Sequence, residues 1–144
     1  MSASTFKTTN KLHDKKPHIH VTAGLIRKDG KVLIARRPKG CHMAGLWEFP
    51  GGKQEDNETL KDCMEREIRE ELGIDVRAKK LLLTVHHEYD TKLVDLHFFE
   101  CVLIKGSPKT LDGQEVKWVD PGDLIEYEFP PPDKKIIEFL IPSR

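Results

Sequence analysis

Two periodicities divide the chain. From His18 onward apolar residues come in short runs, and between Leu60 and Leu72 the spacing changes to that of a helix. His18–Ile26 and Lys31–Arg36 read as strands, and Lys28-Asp29-Gly30 between them carries the Asp-Gly pair of a tight hairpin. Residues 38–44 read as a loop, and Trp47–Phe49 as a short extended piece halted by Pro50-Gly51-Gly52. Thr59 can cap the helix that follows, with Asp62 completing a capping-box-like pair, and Gly73 stands where a left-handed C-terminal cap is wanted. Val76–Glu88 and Lys92–Ile104 are strand-like, with Tyr89-Asp90-Thr91 as their turn. Gln114–Val119 is a further short strand, Pro121-Gly122-Asp123 a turn, and Pro130-Pro131-Pro132 leads into a final helix from about Asp133 to Leu140. Strands, helix, strands, helix is the order of an α+β domain, a mixed β-sheet covered by helices. Met1–Lys16 is polar and patternless, so it reads as a flexible tail before one domain spanning 17–144.

On a wheel of about 100° per residue, Leu60, Met64, Ile68 and Leu72 form one stripe that should face the core. Lys61, Asp62, Glu65, Arg66 and Arg69 gather on the opposite, solvated side. Glu67 and Glu71 lie beside Leu60 at the edge of the apolar stripe, and Glu70 sits one step further round. An acidic helix ordinarily means a soluble face with i,i+4 pairs to Lys or Arg. Here three carboxylates at i, i+3 and i+4 converge on one patch, partly on the buried side. Clustered like charges are costly to desolvate unless a cation compensates them. A hard divalent ion is the simplest compensation, and Mg²⁺ favours a few carboxylates completed by substrate phosphate.

Composition narrows the function classes. The 24 basic and 24 acidic side chains cancel to zero net charge, which argues against a protein that coats nucleic acid. Runs such as Leu81-Leu82-Leu83 are too short to span a bilayer, and the first ten residues lack the apolar core of a secretory leader. Cys41, Cys63 and Cys101 are odd in number and widely spaced, as in a reduced, cytoplasmic protein. His18 and His20 are spaced like metal ligands on one strand face, but a hard-oxygen site explains the chemistry without them, so they read as incidental.

Gly52, five residues, Glu58, seven residues, then Arg66-Glu67-Ile68-Arg69-Glu70-Glu71-Leu72-Gly73-Ile74 resembles a complete Nudix box with every fixed position filled. The stretches Ala35-Arg36-Arg37, His42-Met43-Ala44, Glu48-Phe49-Pro50-Gly51-Gly52-Lys53 and Phe129-Pro130-Pro131 look like those of MutT-type nucleoside triphosphate pyrophosphohydrolases. The similarity covers about His18 to Leu140 and implies the Nudix fold, an α/β/α sandwich with a mixed β-sheet.

That resemblance also implies roles. Glu67, Glu70 and Glu71 stand where the family binds metal, and one of them can act as base toward water. The carbonyl of Gly52 is a further implied ligand, and Glu58 and Arg66 an ion pair that fixes the loop. Asp112 stands where a later-loop carboxylate completes the site, although MutT has the longer Glu there, and Asp112-Gly113 equally reads as an ordinary turn. Lys53 matches a phosphate-contacting lysine and Arg37 an arginine at the α-phosphate end, whereas Arg36 is expected to face solvent. His42, Phe49 and Asp133 fall on the substrate-binding side of the resemblance.

The implied reaction is attack of metal-activated water on the diphosphate linkage, with Mg²⁺ or Mn²⁺, giving nucleoside monophosphate and pyrophosphate. The expected partner is a small nucleotide, with no stable nucleic-acid partner and no membrane, in a monomer or homodimer. The leading substrate class is oxidised nucleotides such as 8-oxo-dGTP; CTP, dCTP or damaged pyrimidine triphosphates are the alternative. Members acting on 8-oxo-dGTP often carry Asn where this chain has Asp133, and an ionised Asp would suit the exocyclic amine of cytosine. A protonated Asp in a dry pocket could still read the purine, and Asp133 could instead be a helix cap. Tyr89 keeps a dinucleoside-polyphosphate branch open, while the Pro of ADP-ribose branches is missing after the box. A non-catalytic nucleotide-sensing Nudix domain is the reading from another class; such domains commonly lose box carboxylates, and here all are present.

Overall fold

A computed structural model describes residues 16–38, 40 and 45–140. His42 and the first fifteen residues of the expected tail lie outside the described residues. Strand β1 (His18–Lys28) turns through Asp29 and Gly30, both at positive φ (51° and 79°), into β2 (Lys31–Arg36). Two consecutive left-handed residues make the hairpin turn whose twist matches the strands it joins. Short strands β3 (Trp47–Glu48) and β4 (Gly51–Lys53) precede helix α1 (Leu60–Leu72). Then come β5 (Asp75–Glu88), β6 (Leu93–Lys105), β7 (Glu115–Val119), a 3₁₀ turn over Pro121–Glu126, and helix α2 (Pro131–Leu140).

The seven strands form one mixed sheet with the path β3-β2-β1-β6-β5. β1 is its spine. It runs parallel to β6 from His18 to Arg27, while its other edge is shared between β4 at Val21–Ala23 and β2 at Arg27–Lys28. β4 is a strand that the sequence reading treats as a stop. Glycine punctuates chains, but here it permits close approach: a Cβ on Gly51 would stand 1.9 Å from the Thr22 carbonyl oxygen.

Alternation along β1 sends Ala23 and Leu25 to one face and Ile26 to the other. On the Ile26 face α1 lays down Met64, Ile68 and Leu72 against Leu33, Phe99 and Cys101. Each such side chain, once buried, contributes about 1.5–3 kcal/mol. On the other face α2 sets Ile136 and Ile137 against Ala23, Ile34 and Phe98. The result is the expected α/β/α sandwich. α2 begins at Pro131, two residues before the expected start, because proline is preorganised for the first helical turn. Asp133 therefore lies inside the helix and is not its N-cap.

Candidate active site

Helix α1 is fixed at both ends as its sequence requires. The Thr59 hydroxyl accepts from the Asp62 N–H at 3.1 Å, and Gly73 at φ 65° donates its N–H to the Arg69 carbonyl at 3.0 Å. The loop from β4 into α1 is tied down by its own side chains. Glu58 accepts from the Glu55 N–H and takes two bonds from Arg66, from Nε at 2.6 Å and Nη2 at 3.0 Å. Arg66 also donates to the Lys53 carbonyl. Those bonds hold the Glu58 carboxyl down at about 2, Arg66 being the main cause. Arg66, assigned to the solvated face by the wheel, is mostly covered by this network. Glu65 is corrected in the same way: its carboxylate accepts from the Ala78 N–H at 2.9 Å, where the pairing of β5 with β6 shifts register.

The carboxylates of α1 are not equivalent. Glu67 reaches back over β4, so that a Cβ on Gly52 would fall 2.3 Å from its carboxylate. Glu71 stands next to it, and its acidity is weakened by burial first, then by a hydrogen bond that its protonated form gives to Glu67 and by the charges of Glu67, Glu48 and Asp112. Glu70 is the exposed member, held by Arg66 Nη1 at 3.1 Å, and the same nitrogen reaches Glu67 at 3.0 Å. Gly52 presents its carbonyl to the Thr22 hydroxyl at 3.2 Å and the Cys63 thiol at 3.6 Å, contacts from the helix side of the strand. Asp112 is exposed in a turn, its N–H bonded to Gln114, whose amide donates to the Glu71 carbonyl. Asp112 thus sits near Glu71 and also in the turn that its sequence suggests.

A second group continues from Glu71 toward α2. Glu48 lies between the core residues Trp47 and Phe49, so strand alternation turns it out of the core they share. Burial raises its pKa while the ion pair with Arg37, Nε to carboxylate at 3.2 Å, opposes the rise. Asp133 is buried close to both, its carboxyl pushed up to about 8 by desolvation, then by the charge of Glu48, with Arg37 pulling the other way. Phe49 is 4% exposed, stacked on Phe129 at 5.1 Å and edge-on to Phe98, so it is a core wall beneath this group. Lys53 ends β4 exposed to solvent. Arg36 is exposed too, though it packs over Trp47 and pairs with Glu115.

Glu48 is the residue that sequence reading leaves without a role. It links the α1 carboxylates to the Arg37–Asp133 group, and the signal for it was one charged residue between two aromatic core positions. The donor set fits a hard divalent ion. Glu67 and Glu71 bring two oxygen-ligand carboxylates together, and Glu71 resists ionisation there, first because it is buried and then because Glu67 stands beside it.

The NUDIX domain family matches residues 21–139. The CTP pyrophosphohydrolase of Escherichia coli is 33% identical over 88% of this chain and 93% of its own length. The 8-oxo-dGTP diphosphatase of Proteus vulgaris is 51% identical over 60% of this chain and 77% of its own. A crystal structure of a MutT protein from Methanosarcina mazei superposes with a TM-score of 0.78 at 29% identity, covering 88% of this chain and 94% of that one. Hydrolases of this family generally need a divalent metal ion. The chain belongs to the NUDIX domain family, as a MutT-like pyrophosphohydrolase.

Proposed function

We propose that this enzyme hydrolyses (deoxy)nucleoside triphosphates to monophosphate and pyrophosphate, with oxidised purine nucleotides such as 8-oxo-dGTP as its preferred class. The observation that carries the substrate choice is the buried Asp133, whose pKa of about 8 keeps it protonated at neutral pH. A protonated carboxyl offers one donor and one acceptor, as an Asn amide does, and that pair can read an oxidised purine edge. Two relatives bracket the choice, one named for CTP and one for 8-oxo-dGTP. The cytosine reading is the second one, and it is favoured wherever Asp133 ionises.

Glu67 and Glu71, with Glu70 beside them and Asp112 across the turn, would hold the metal ion, Mg²⁺ or Mn²⁺. When bound, such an ion lowers the pKa of water and shields phosphate charge. One of these carboxylates, ionised, would also serve as the base toward water. Arg66 holds Glu67 and Glu70 in place, and Glu58 holds Arg66. Lys53, exposed at the end of β4, supplies positive charge to the phosphates, and Arg37 stands by Glu48 and Asp133 at the nucleoside end. Phe49 backs that end as its apolar floor. His42 belongs to this side by resemblance and lies outside the described residues. No helix of the described residues is long and apolar enough to cross a membrane, and a cytoplasmic enzyme acting on free nucleotides as monomer or homodimer fits the balanced charge.

The test is a pyrophosphate-release screen over canonical and oxidised nucleoside triphosphates with Mg²⁺ and with Mn²⁺. The reading expects the highest kcat/KM on an oxidised purine and none in excess chelator. Full turnover in chelator, or a preference for an unmodified purine, would overturn it.

A further inference from the structure

On the α1 face of the sheet, beyond the start of the helix, β1, β6 and β5 line up a row of imidazoles around one carboxylate. Asp95 of β6 is flanked in register by His20 of β1 and His86 of β5, and His97 by Thr22 and Thr84. His18 Nε2 lies 2.9 Å from Asp95 Oδ2, and His20 Nδ1 lies 3.8 Å from the same oxygen. The ligand atoms of His18, His20 and Asp95 are all within 4.8 Å of one another. Around them His86 Nδ1 bonds the second Asp95 oxygen, His97 Nε2 is 3.1 Å from His20 Nδ1, and the Thr84 hydroxyl meets His97 Nδ1 at 3.0 Å.

We propose that His18, His20 and Asp95 form a second metal site, separate from the hard-oxygen carboxylates of α1 and selective for a borderline divalent ion such as Zn²⁺. Two imidazole nitrogens and one carboxylate oxygen are the donor types that favour zinc over magnesium. A tetrahedral zinc with ligands at about 2.0–2.1 Å separates them by about 3.3 Å, and the His18 and His20 nitrogens lie 2.9 and 3.8 Å from the Asp95 oxygen. His97 Nε2, beside His20, would be the nearest further donor. The outer contacts also suit a metal site: His86 orients the carboxylate and Thr84 orients His97, as outer-shell partners of metal ligands do. Asp95 is 8% exposed, whereas His18 and His20 are open enough for an ion to enter. Two residues along β1 from His20, Thr22 bonds Gly52, so a clip between β1 and β6 would brace the strand on which the active-site loop rests. The sequence reading of His18 and His20 as incidental missed Asp95, which is remote in the chain and becomes their neighbour through the parallel pairing of β1 with β6.

The experiment titrates ZnCl₂ into chelator-stripped, dialysed full-length enzyme by calorimetry, with millimolar Mg²⁺ present to fill the hard-oxygen site. Expected are one equivalent of zinc bound, a raised Tm, and visible d–d absorption typical of four-coordinate N/O ligation when Co²⁺ replaces zinc. His20→Ala and Asp95→Asn, checked as folded by circular dichroism, should each weaken zinc binding at least about tenfold. Glu71→Gln should leave it unchanged. His18→Gln, a milder change on an exposed residue, gives the same answer should either of the others fail to fold. The proposal is overturned by an absence of zinc binding over Mg²⁺. Zinc binding that survives His18→Gln and His20→Ala, or that is lost in Glu71→Gln, overturns it equally.

Discussion

The carboxylate of Glu67 occupies the space that a side chain on Gly52 would need, 2.3 Å from the position of its Cβ. This makes the first glycine of the box a steric requirement for the placement of Glu67. In Gly52→Ala the Glu67 carboxylate must swing off β4, and a displacement of that order costs about 100-fold in turnover. Circular dichroism should show an intact fold, since the strain is relieved by one side chain. Near-native kcat in a folded Gly52→Ala enzyme would disprove the placement of Glu67.

Glu71 gives a prediction with a pH sign. Its pKa is raised in the folded state, chiefly by burial, so the native state resists its ionisation. Stability is therefore fullest below the unfolded value of about 4.3 and is lost as pH rises toward the folded pKa. Glu71→Gln removes that loss. In metal-free protein its Tm should match wild type near pH 4 and exceed it at neutral pH, while turnover falls by orders of magnitude. A variant less stable than wild type at pH 7 would show that the Glu67–Glu71 contact is favourable without metal.

The Glu58–Arg66 ion pair has the opposite sign. Arg66 holds Glu58 down at about 2, so its contribution is present above the unfolded value of about 4.3 and is lost as pH falls through about 2. Glu58→Gln should lower Tm at neutral pH and converge with wild type in strong acid. A constant Tm gap across the acid range would assign the effect to packing and not to charge.

How much of this was legible beforehand follows from what each feature depends on. Helix α1 was read to the residue because Thr59, Gly73 and the apolar stripe are local signals. The hairpin of β1 and β2 was legible for the same reason, through Asp29-Gly30. β4 was not, because a Gly-Gly pair is silent about whether another backbone lies against it. Glu48 and Asp95 were not, because each matters through neighbours that only the sheet brings near. The Glu58–Arg66 pair was legible through resemblance, whereas the inequality of Glu67, Glu70 and Glu71 depends on burial that the wheel cannot supply.

Glu65 tests a place where helix geometry misleads. The wheel puts it on the solvated face, yet it accepts the Ala78 N–H where β5 changes register. Glu65→Ala removes that acceptor and should cost about 1–3 kcal/mol with kcat unchanged. Glu65→Gln keeps an acceptor and should cost less. Equal, negligible losses in both by chemical denaturation would return Glu65 to the solvent.

Asp133 joins substrate choice to pH. It lies in the first turn of α2, 6% exposed, with its carboxyl pushed up to about 8. For an acid raised in the native state, stability is fullest below the unfolded value of about 3.9 and declines as pH rises toward about 8. Below that value the carboxyl both donates and accepts; above it, it only accepts. The kcat/KM ratio of 8-oxo-dGTP to dCTP should therefore be steady near pH 6.5 and fall as pH passes about 8, by a mismatch of about 1–3 kcal/mol. Asp133→Asn carries a donor and an acceptor at every pH. It should keep the neutral-pH preference, lose its pH dependence, and gain stability at pH 7 because position 133 no longer holds a buried acid to ionise. Turnover on the better substrate should change little, as the α1 carboxylates and Lys53 are untouched. A wild-type ratio that is flat from about pH 6.5 to 9.5, or one that Asp133→Asn reverses at neutral pH, would remove Asp133 from base reading and leave it a buried acid of the α2 interface.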